Sequence, residues 1–456
     1  MKDIYKILIV ILTTVSLTSC DDRLDQAPIS DLGNNNFYTN ESELETAVVA
    51  IYDGLQATVQ REFALTEMRS DNTRTKNSEG SWAEFQNMSV NPTNSVILDY
   101  WQTQYNVIHR ANTVLANLDV VASESVRNQF EGEAKFTRAL AHFNLTRAFG
   151  DVPLIDRVVY PSDQDYFSQK PQADVLQFIA DDLEEAMLKL PARGGIEEGR
   201  ATAGAATSLL AKVYLTQGEH AQAKSLLDQV ISSSNYSLQE NYRDVFYNEN
   251  NSEIIFAIKF VGDNAFDSQD FSFEMTKGGQ ASGLNYITDD FKSAVNASDT
   301  ERMAVLYSPN DPDEVGKFLT ASSNVRQCGN DWIVLRYADV LLMHVEAIMG
   351  DATSTSDMGA ITSFNAIRSR SGLPTIATDG SGEITQEMLL EERRIELAFE
   401  NHRLYDLIRF DVAEQVMAEY ADEADFNFSP TDLKLPIPQV EINASLGALT
   451  QNLGYN

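Results

Sequence analysis

The sequence predicts a mainly α protein in which tetratricopeptide-like helix pairs form a curved scaffold, with long irregular loops and a few short strands. Three observations predict it. Apolar residues recur at helical spacing through ten segments, and one stretch alone alternates as a strand does. Residues 207–235 carry Ala211, Tyr214, Gly218, Ala223 and Leu227 where a tetratricopeptide unit takes small, aromatic, glycine, small and large residues. At 43% hydrophobic and 22% charged, the 456-residue chain is composed to bury a large core.

The chain opens with an address. Lys2 and Lys6 precede an apolar run from Ile7 to Leu17, which has the length of a signal-peptide core and falls short of the roughly 20 residues a membrane span needs. Leu17-Thr18-Ser19-Cys20 then resembles the bacterial lipobox. That resemblance implies cleavage before Cys20 and acylation of its thiol and new N-terminus, and several acyl chains anchor stably where one does not. Asp21, Asp22 and Asp25 resemble a surface-export signal of Bacteroidetes lipoproteins. The expected division is a signal peptide over 1–19, an N-terminal part over 20–232 and a C-terminal part over 233–456.

Residues 41–59 begin at a capping stretch, Asn40-Glu41-Ser42-Glu43, and place Leu44, Val48, Ile51, Tyr52 and Leu55 on one face. Residues 97–119 place Leu98, Trp101, Tyr105, Ile108 and Leu115 likewise, which makes Trp101 a core residue. Helices are predicted next over 126–149, 172–190, 200–217 and 219–232, then over 335–350, 357–370, 384–400 and 402–419. Small residues let paired helices approach, and Gly218 permits the turn between 200–217 and 219–232. Helix 41–59 is expected to pair with 97–119 and 131–149 with 172–190. The last four helices form two further pairs. The strand is Glu253–Phe260, where Ile254, Phe256, Ile258 and Phe260 alternate with their neighbours. Stacked pairs of this kind bind more often than they catalyse. The insertions at 60–96, 150–171 and 261–333 are therefore where function is expected.

Charge excludes whole classes. Asp and Glu number 68 against 34 Lys and Arg, a net of −34. An acid excess of that size opposes phosphate neutralisation on nucleic acid and attraction to anionic lipid. Cleavage after Ser19 would leave the mature chain one charge more acidic still. Cys20 and Cys328 build no disulfide framework, and Cys328 reads as a small buried residue. His109, His142, His220, His344 and His402 show no metal-ligand spacing and read as structural, so neither a metal nor a cofactor is expected. No P-loop or Gly-x-Ser-x-Gly motif occurs. Glu392, Glu396 and Glu400 stand at i, i+4 and i+8, and paired carboxylates serve glycosidases. Yet all three share one helix face, with Arg393, Arg394 and Arg403 in reach, which reads as ion pairing with no catalytic residue among them. Asp406 and Arg409 read the same way.

Glu133-Ala-Lys-Phe-Thr-Arg-Ala-Leu-Ala-His-Phe-Asn-Leu-Thr-Arg-Ala-Phe-Gly-Asp-Val-Pro-Leu154 resembles the N-terminal signature of the SusD/RagB family. Leu335–Ala347, Glu392–Arg409 and the ending Leu435-Pro-Ile-Pro-Gln439 through Tyr455 resemble its C-terminal signatures. Asn401 and Leu453 depart from the family's usual Gly and Pro, and Asn also tolerates a left-handed helix end. The resemblance implies a surface lipoprotein of the outer membrane that binds oligosaccharide or another nutrient and sits as a lid on a SusC-like TonB-dependent transporter barrel, with four tetratricopeptide units as scaffold and irregular segments carrying the ligand site.

Sugar binding asks for flat aromatic faces and for hydrogen-bonding side chains at hydroxyls. Loop 60–96 offers Asp71, Asn72, Arg74 and Trp82 together, at the place where the family forms part of its glycan site. Loop 262–291 adds Phe266, Phe271, Phe273 and Tyr286, with Phe271 and Tyr286 chosen as contacts. Trp332 reads as structural, and Gly278, Gly279 and Gly283 as a flexible loop. The acid excess favours a neutral oligosaccharide unless Arg69 and Arg74 offset the field locally. Three functions stay open at this level: a glycan-binding lipoprotein working with a transporter, a glycoside hydrolase, and a scaffold whose ligand is the barrel or that takes a non-glycan nutrient such as a peptide.

Overall fold

The structure, a computed structural model, describes residues 38–76, 79–276 and 284–455. The signal peptide, Cys20 and Gly278, Gly279 and Gly283 lie outside the described residues.

Eight helices succeed one another as antiparallel neighbours: α1 Glu41–Val59, α2 Ser95–Leu115, α3 Glu124–Phe149, α4 Gln172–Lys189, α5 Ala203–Thr216, α6 His220–Ser232, α7 Tyr337–Met349 and α8 Met358–Arg370. Each packs on the next, including α6 on α7 across the long insertion between them. The expected pairs α1/α2, α3/α4, α5/α6 and α7/α8 all form. Local chemistry sets their starts. Asn40, Asn94, Thr202 and Asp357 each accept a backbone N–H from the first turn of α1, α2, α5 and α8. Gly218 turns the chain between α5 and α6 at φ 77°, a left-handed angle that costs a side-chain residue energy. Gly132 acts through proximity, since a Cβ there would stand 2.8 Å from Leu190 Cγ. No helix among the described residues is long and apolar enough to cross a membrane.

The strand Ile254–Ile258 pairs antiparallel with Trp332–Arg336, so the residues before α7 are a strand and not the start of a helix. Trp332 is buried in that strand. The largest apolar cluster runs from Leu44 to Leu449 and draws on both sides of residue 232.

Two expectations need correction. Residues 60–96 are not a surface loop. Phe63, Ala64, Leu65 and Met68 are apolar and fully enclosed, and Glu62 to Thr73 form a plug of short helical turns against the scaffold. The segments 384–400 and 402–419 are not a helix pair either. A helix, α9, covers Gln386–Glu396, a short one, α10, Arg403–Arg409, and α11 Ala413–Ala424. α9 stops because its last carbonyl is claimed from elsewhere: the Glu396 oxygen accepts from Tyr242 Oη at 2.6 Å, Arg336 Nη2 at 2.6 Å and Lys317 Nζ at 3.1 Å. Phe399 at φ 66° and Asn401 at φ 64° then take the left-handed turn that the Asn tolerates.

The chain's end straps back onto its beginning. The Leu435 N–H donates to Ala148 O, the Gln439 N–H to Pro92 O, and Asn452 Nδ2 to Phe149 O and Leu435 O.

Gly132→Val overfills the α3/α4 contact and is expected to destabilise the protein by about 1–3 kcal/mol, measured by urea unfolding. Wild-type stability in that variant contradicts the close approach.

Candidate functional site

Charged side chains of the interior decide where the irregular segments lie. Arg336 Nη1 meets Glu253 at 2.9 Å and Glu396 at 2.6 Å, and its Nε meets Glu400 at 2.7 Å. Arg302 joins Glu392 at 2.6 Å and Asp299 at 2.6 Å, Lys317 joins Glu400 at 2.6 Å, and Arg370 joins both Glu396 and Glu253. Burial by itself would raise the Glu396 carboxyl. Arg370, Arg336 and Arg302 outweigh it and hold the group well below its ordinary range. Glu392 and Glu396 on α9, and Glu400 in the turn beyond it, are thus structural anchors: each has both carboxylate oxygens committed to cations. Asp406 and Arg409 are anchors too. Asp406 binds Arg393 bidentately at 2.9 Å and Arg409 at 2.7 Å, which against burial keeps its carboxyl at about 2.

The same kind of pairing fixes the plug. Arg403 grips Asp71 with two hydrogen bonds, at 2.8 and 2.6 Å, and Arg394 adds a third contact at 3.1 Å. Burial works to raise Asp71, and the two guanidiniums more than offset it. Asn72 accepts from Arg394 Nε at 2.9 Å and donates to Glu67. Asp71 and Asn72 are only 3% and 1% exposed. As ligand contacts they are corrected: their polar atoms are spent on the interior, and they position the residues next in the chain.

Those residues form a two-residue strand, Thr73–Arg74, paired antiparallel with Tyr286–Ile287. Thr288 locks the pairing from one side, with Oγ1 donating to Asp71 O at 2.7 Å and N–H donating to Asn72 O at 3.0 Å. Arg74 and Tyr286, expected separately from two distant loops, are direct partners in this register. Arg74 is exposed, and the Lys76 ammonium stands 5.6 Å from the centre of the Tyr286 ring. The Thr75 N–H donates to Gln86 at 2.8 Å and ties this strand to the short helix Ala83–Gln86 just after Trp82.

Trp82 is half-buried. One face lies nearly parallel to Phe63 at 6.3 Å, and Phe85 lies at 6.4 Å. Phe271 is corrected outright: it is fully buried, edge-on to Phe260, Phe318 and Trp332. Arg69 is buried as well, donating to Leu65 O and Asp432 O, so the local positive charge near Arg74 comes from Lys76 instead. The apolar residues just upstream of Asp71, Phe63 to Met68, were the local signal of burial; the pairing with a residue 332 positions away had none.

The remaining candidates are structural. His142 is enclosed, accepts from the Ile155 N–H, and is held neutral by burial, down to about 3. His344 lies between Asp228 and Ser363. Cys328 is buried, which pushes its thiol up. No group of three or more His, Cys, Asp or Glu among the described residues is placed to hold a metal.

A family model described as SusD family matches residues 314–455, and one described as starch-binding, associating with the outer membrane, matches residues 22–215. A SusD-like protein, P2, of Formosa agariphila is 26% identical over 99% of this chain and 99% of its own. Among solved structures, a laminarin-binding SusD-like protein is 27% identical with a TM-score of 0.75, over 92% of this chain and 100% of that one. Surface glycan-binding protein A of Bacteroides thetaiotaomicron, solved with laminarihexaose, shares the fold at 23% identity and a TM-score of 0.76, over 91% of this chain and 100% of that one.

Asp71→Ala strands Arg403 in the interior, while Arg394 keeps Asp290, and is expected to cost about 3–5 kcal/mol of unfolding free energy. A loss within 0.5 kcal/mol or so contradicts the anchoring role. Glu67 is enclosed, and burial pushes it up from its ordinary 4.5 to about 7 against the hydrogen bonds it accepts from Asn72 and the Asn401 N–H. Its protonation therefore adds stability that is complete below 4.5 and lost as pH rises through about 7. Glu67→Gln is expected to flatten this loss, by up to about 3 kcal/mol between pH 5 and pH 8, in urea melts at both values.

Proposed function

Because the chain belongs to the SusD/RagB family, we propose that it is a glycan-binding protein of the outer membrane that captures an oligosaccharide where Arg74 and Tyr286 meet. The observation that carries this reading is the register pairing of Arg74 with Tyr286, two loop residues from opposite parts of the chain, on a backbone fixed by Asp71 and Thr288. A guanidinium and an ammonium supply donors to sugar hydroxyls, the half-buried Trp82 ring supplies an apolar edge, and the Tyr286 ring, itself 7% exposed, backs the Lys76 ammonium. The protein binds and does not cleave, since Glu392, Glu396 and Glu400 are all locked in ion pairs. The ligand is neutral: the chain's −34 repels polyanions, and the basic patch at Arg74 and Lys76 is small against it. Laminarin, which a relative of 27% identity binds, and starch are the first probes. Cys20 carries the lipid that holds the protein at the membrane, and a SusC-like TonB-dependent barrel receives the ligand.

Arg74→Ala and Trp82→Ala are expected to weaken laminarin or starch binding about tenfold and about thirtyfold, by calorimetry, with no dependence on salt. Binding of neither glycan by the wild type overturns the reading, as does tight, salt-sensitive binding of a polyuronate.

A further inference from the structure

A groove of about 710 Å³ lies over the outward faces of α1 and α2, and none of its lining residues belongs to the Arg74–Tyr286 surface. The sequence dictates its chemistry. On α2, Asp99, Gln102 and Asn106 recur at i, i+3 and i+7 and all are exposed. Gln56 of α1 and Gln60 just beyond its end face them, their amides donating to Lys259 O and Ser268 O. The floor is therefore a row of amides and a carboxylate. Gln102 donates to Glu441 at 2.8 Å, whereas neither the Asp99 carboxylate nor the Asn106 amide is engaged by another side chain among the described residues.

Above this floor stands Phe266. At 90% exposure it is the most exposed large hydrophobic among the described residues. Its position is fixed by the backbone beneath it. Asn264 Oδ1 accepts from the Phe266 N–H at 2.8 Å and the Asp267 N–H at 3.2 Å, and the Val261 N–H closes the turn on Asp267 O at 2.8 Å. The turn is clipped to the scaffold where Arg61 forks onto Asp270. The ring is thus presented to solvent by a built turn, without packing to explain it.

Charge narrows the occupant. The groove is lined by two carboxylates, Asp53 and Asp99, and two guanidiniums, Arg61 and Arg110. Arg110 is paired with Asp53 at 2.7 Å, and Arg61 with Asp270. On a chain of −34 this is a locally balanced patch, suited to an uncharged ligand. A flat aromatic face over planar amides and a carboxylate is the combination that takes the apolar side and the hydroxyls of a pyranose.

We propose that this groove is a second glycan site, in which Phe266 stacks on a pyranose ring and Asp99 and Asn106 bond its hydroxyls. It rests on the reading of the protein as a binder of neutral glycans and adds a surface apart from the Arg74–Tyr286 pair. A long chain engages both.

The test uses the mature protein with laminarin and soluble starch in affinity electrophoresis, together with hydroxyl-radical footprinting of Phe266. Phe266→Ala and Asn106→Ala are expected to lose about tenfold in affinity for the polymer that the wild type binds, with unchanged thermal melting, since both side chains are exposed. Bound polymer is expected to shield Phe266 from oxidation in the wild type and in Arg74→Ala. Unchanged polymer affinity in Phe266→Ala, beside a wild type that binds, overturns this site and leaves the first one standing. Unchanged glycan affinity with lost co-purification of an outer-membrane barrel also overturns it, by making the groove a protein contact. A wild type that binds neither polymer removes the glycan reading itself, and this proposal with it.

Discussion

The Arg336 guanidinium is the group on which the rest of the molecule depends. It sits at the end of a strand, 1% exposed, and its donors reach Glu253, Glu396, Glu400 and a helix-terminal carbonyl. Its carboxylate partners come from the start of one strand, the end of α9 and the turn beyond it. Removing such a cation leaves several anions uncompensated in a dry interior, a penalty far larger than the pair contributes relative to an apolar replacement. The charges therefore confer specificity of arrangement: only one placement of the insertion and the C-terminal helices satisfies every fork. The Asp71 clasp repeats this logic at the plug.

That dependence explains what could be read from the sequence and what could not. The eight stacked helices were legible because each carries a 3.6-residue stripe and several carry a capping side chain, signals contained within one segment. The left-handed turn at Asn401 was legible for the same reason. Trp332–Arg336 was hidden because its partner strand lies far upstream and its apolar residues run on into α7 without a break. The early end of α9 was hidden because donors from three other segments terminate it.

The candidate site divides along the same line. Asp71 and Asn72 read as ligand contacts because they share a polar stretch with Arg74, yet they face inward. Within the strand Thr73 faces in and Arg74 faces out, but two residues are too short to show a period. Phe271 and Phe266 differ in the opposite way. They are chemically alike, five positions apart, and only the turn at Asn264 decides that one is core and the other is presented.

The strap from Leu435 to Asn452, lying on α2 and α3, has a kinetic meaning. The contacts that close the core join residues more than 300 positions apart, as between Asp71 and Arg403 or Phe149 and Asn452. Loop closure on that scale is slow, and chains dominated by it fold late. The N-terminal helices can assemble in part, but the plug keeps unpaired acids and the scaffold an uncovered apolar edge until the last segment arrives. The rigid form is therefore reached only after the last segment has been made and docked, so that the final residues set the time at which the whole core closes.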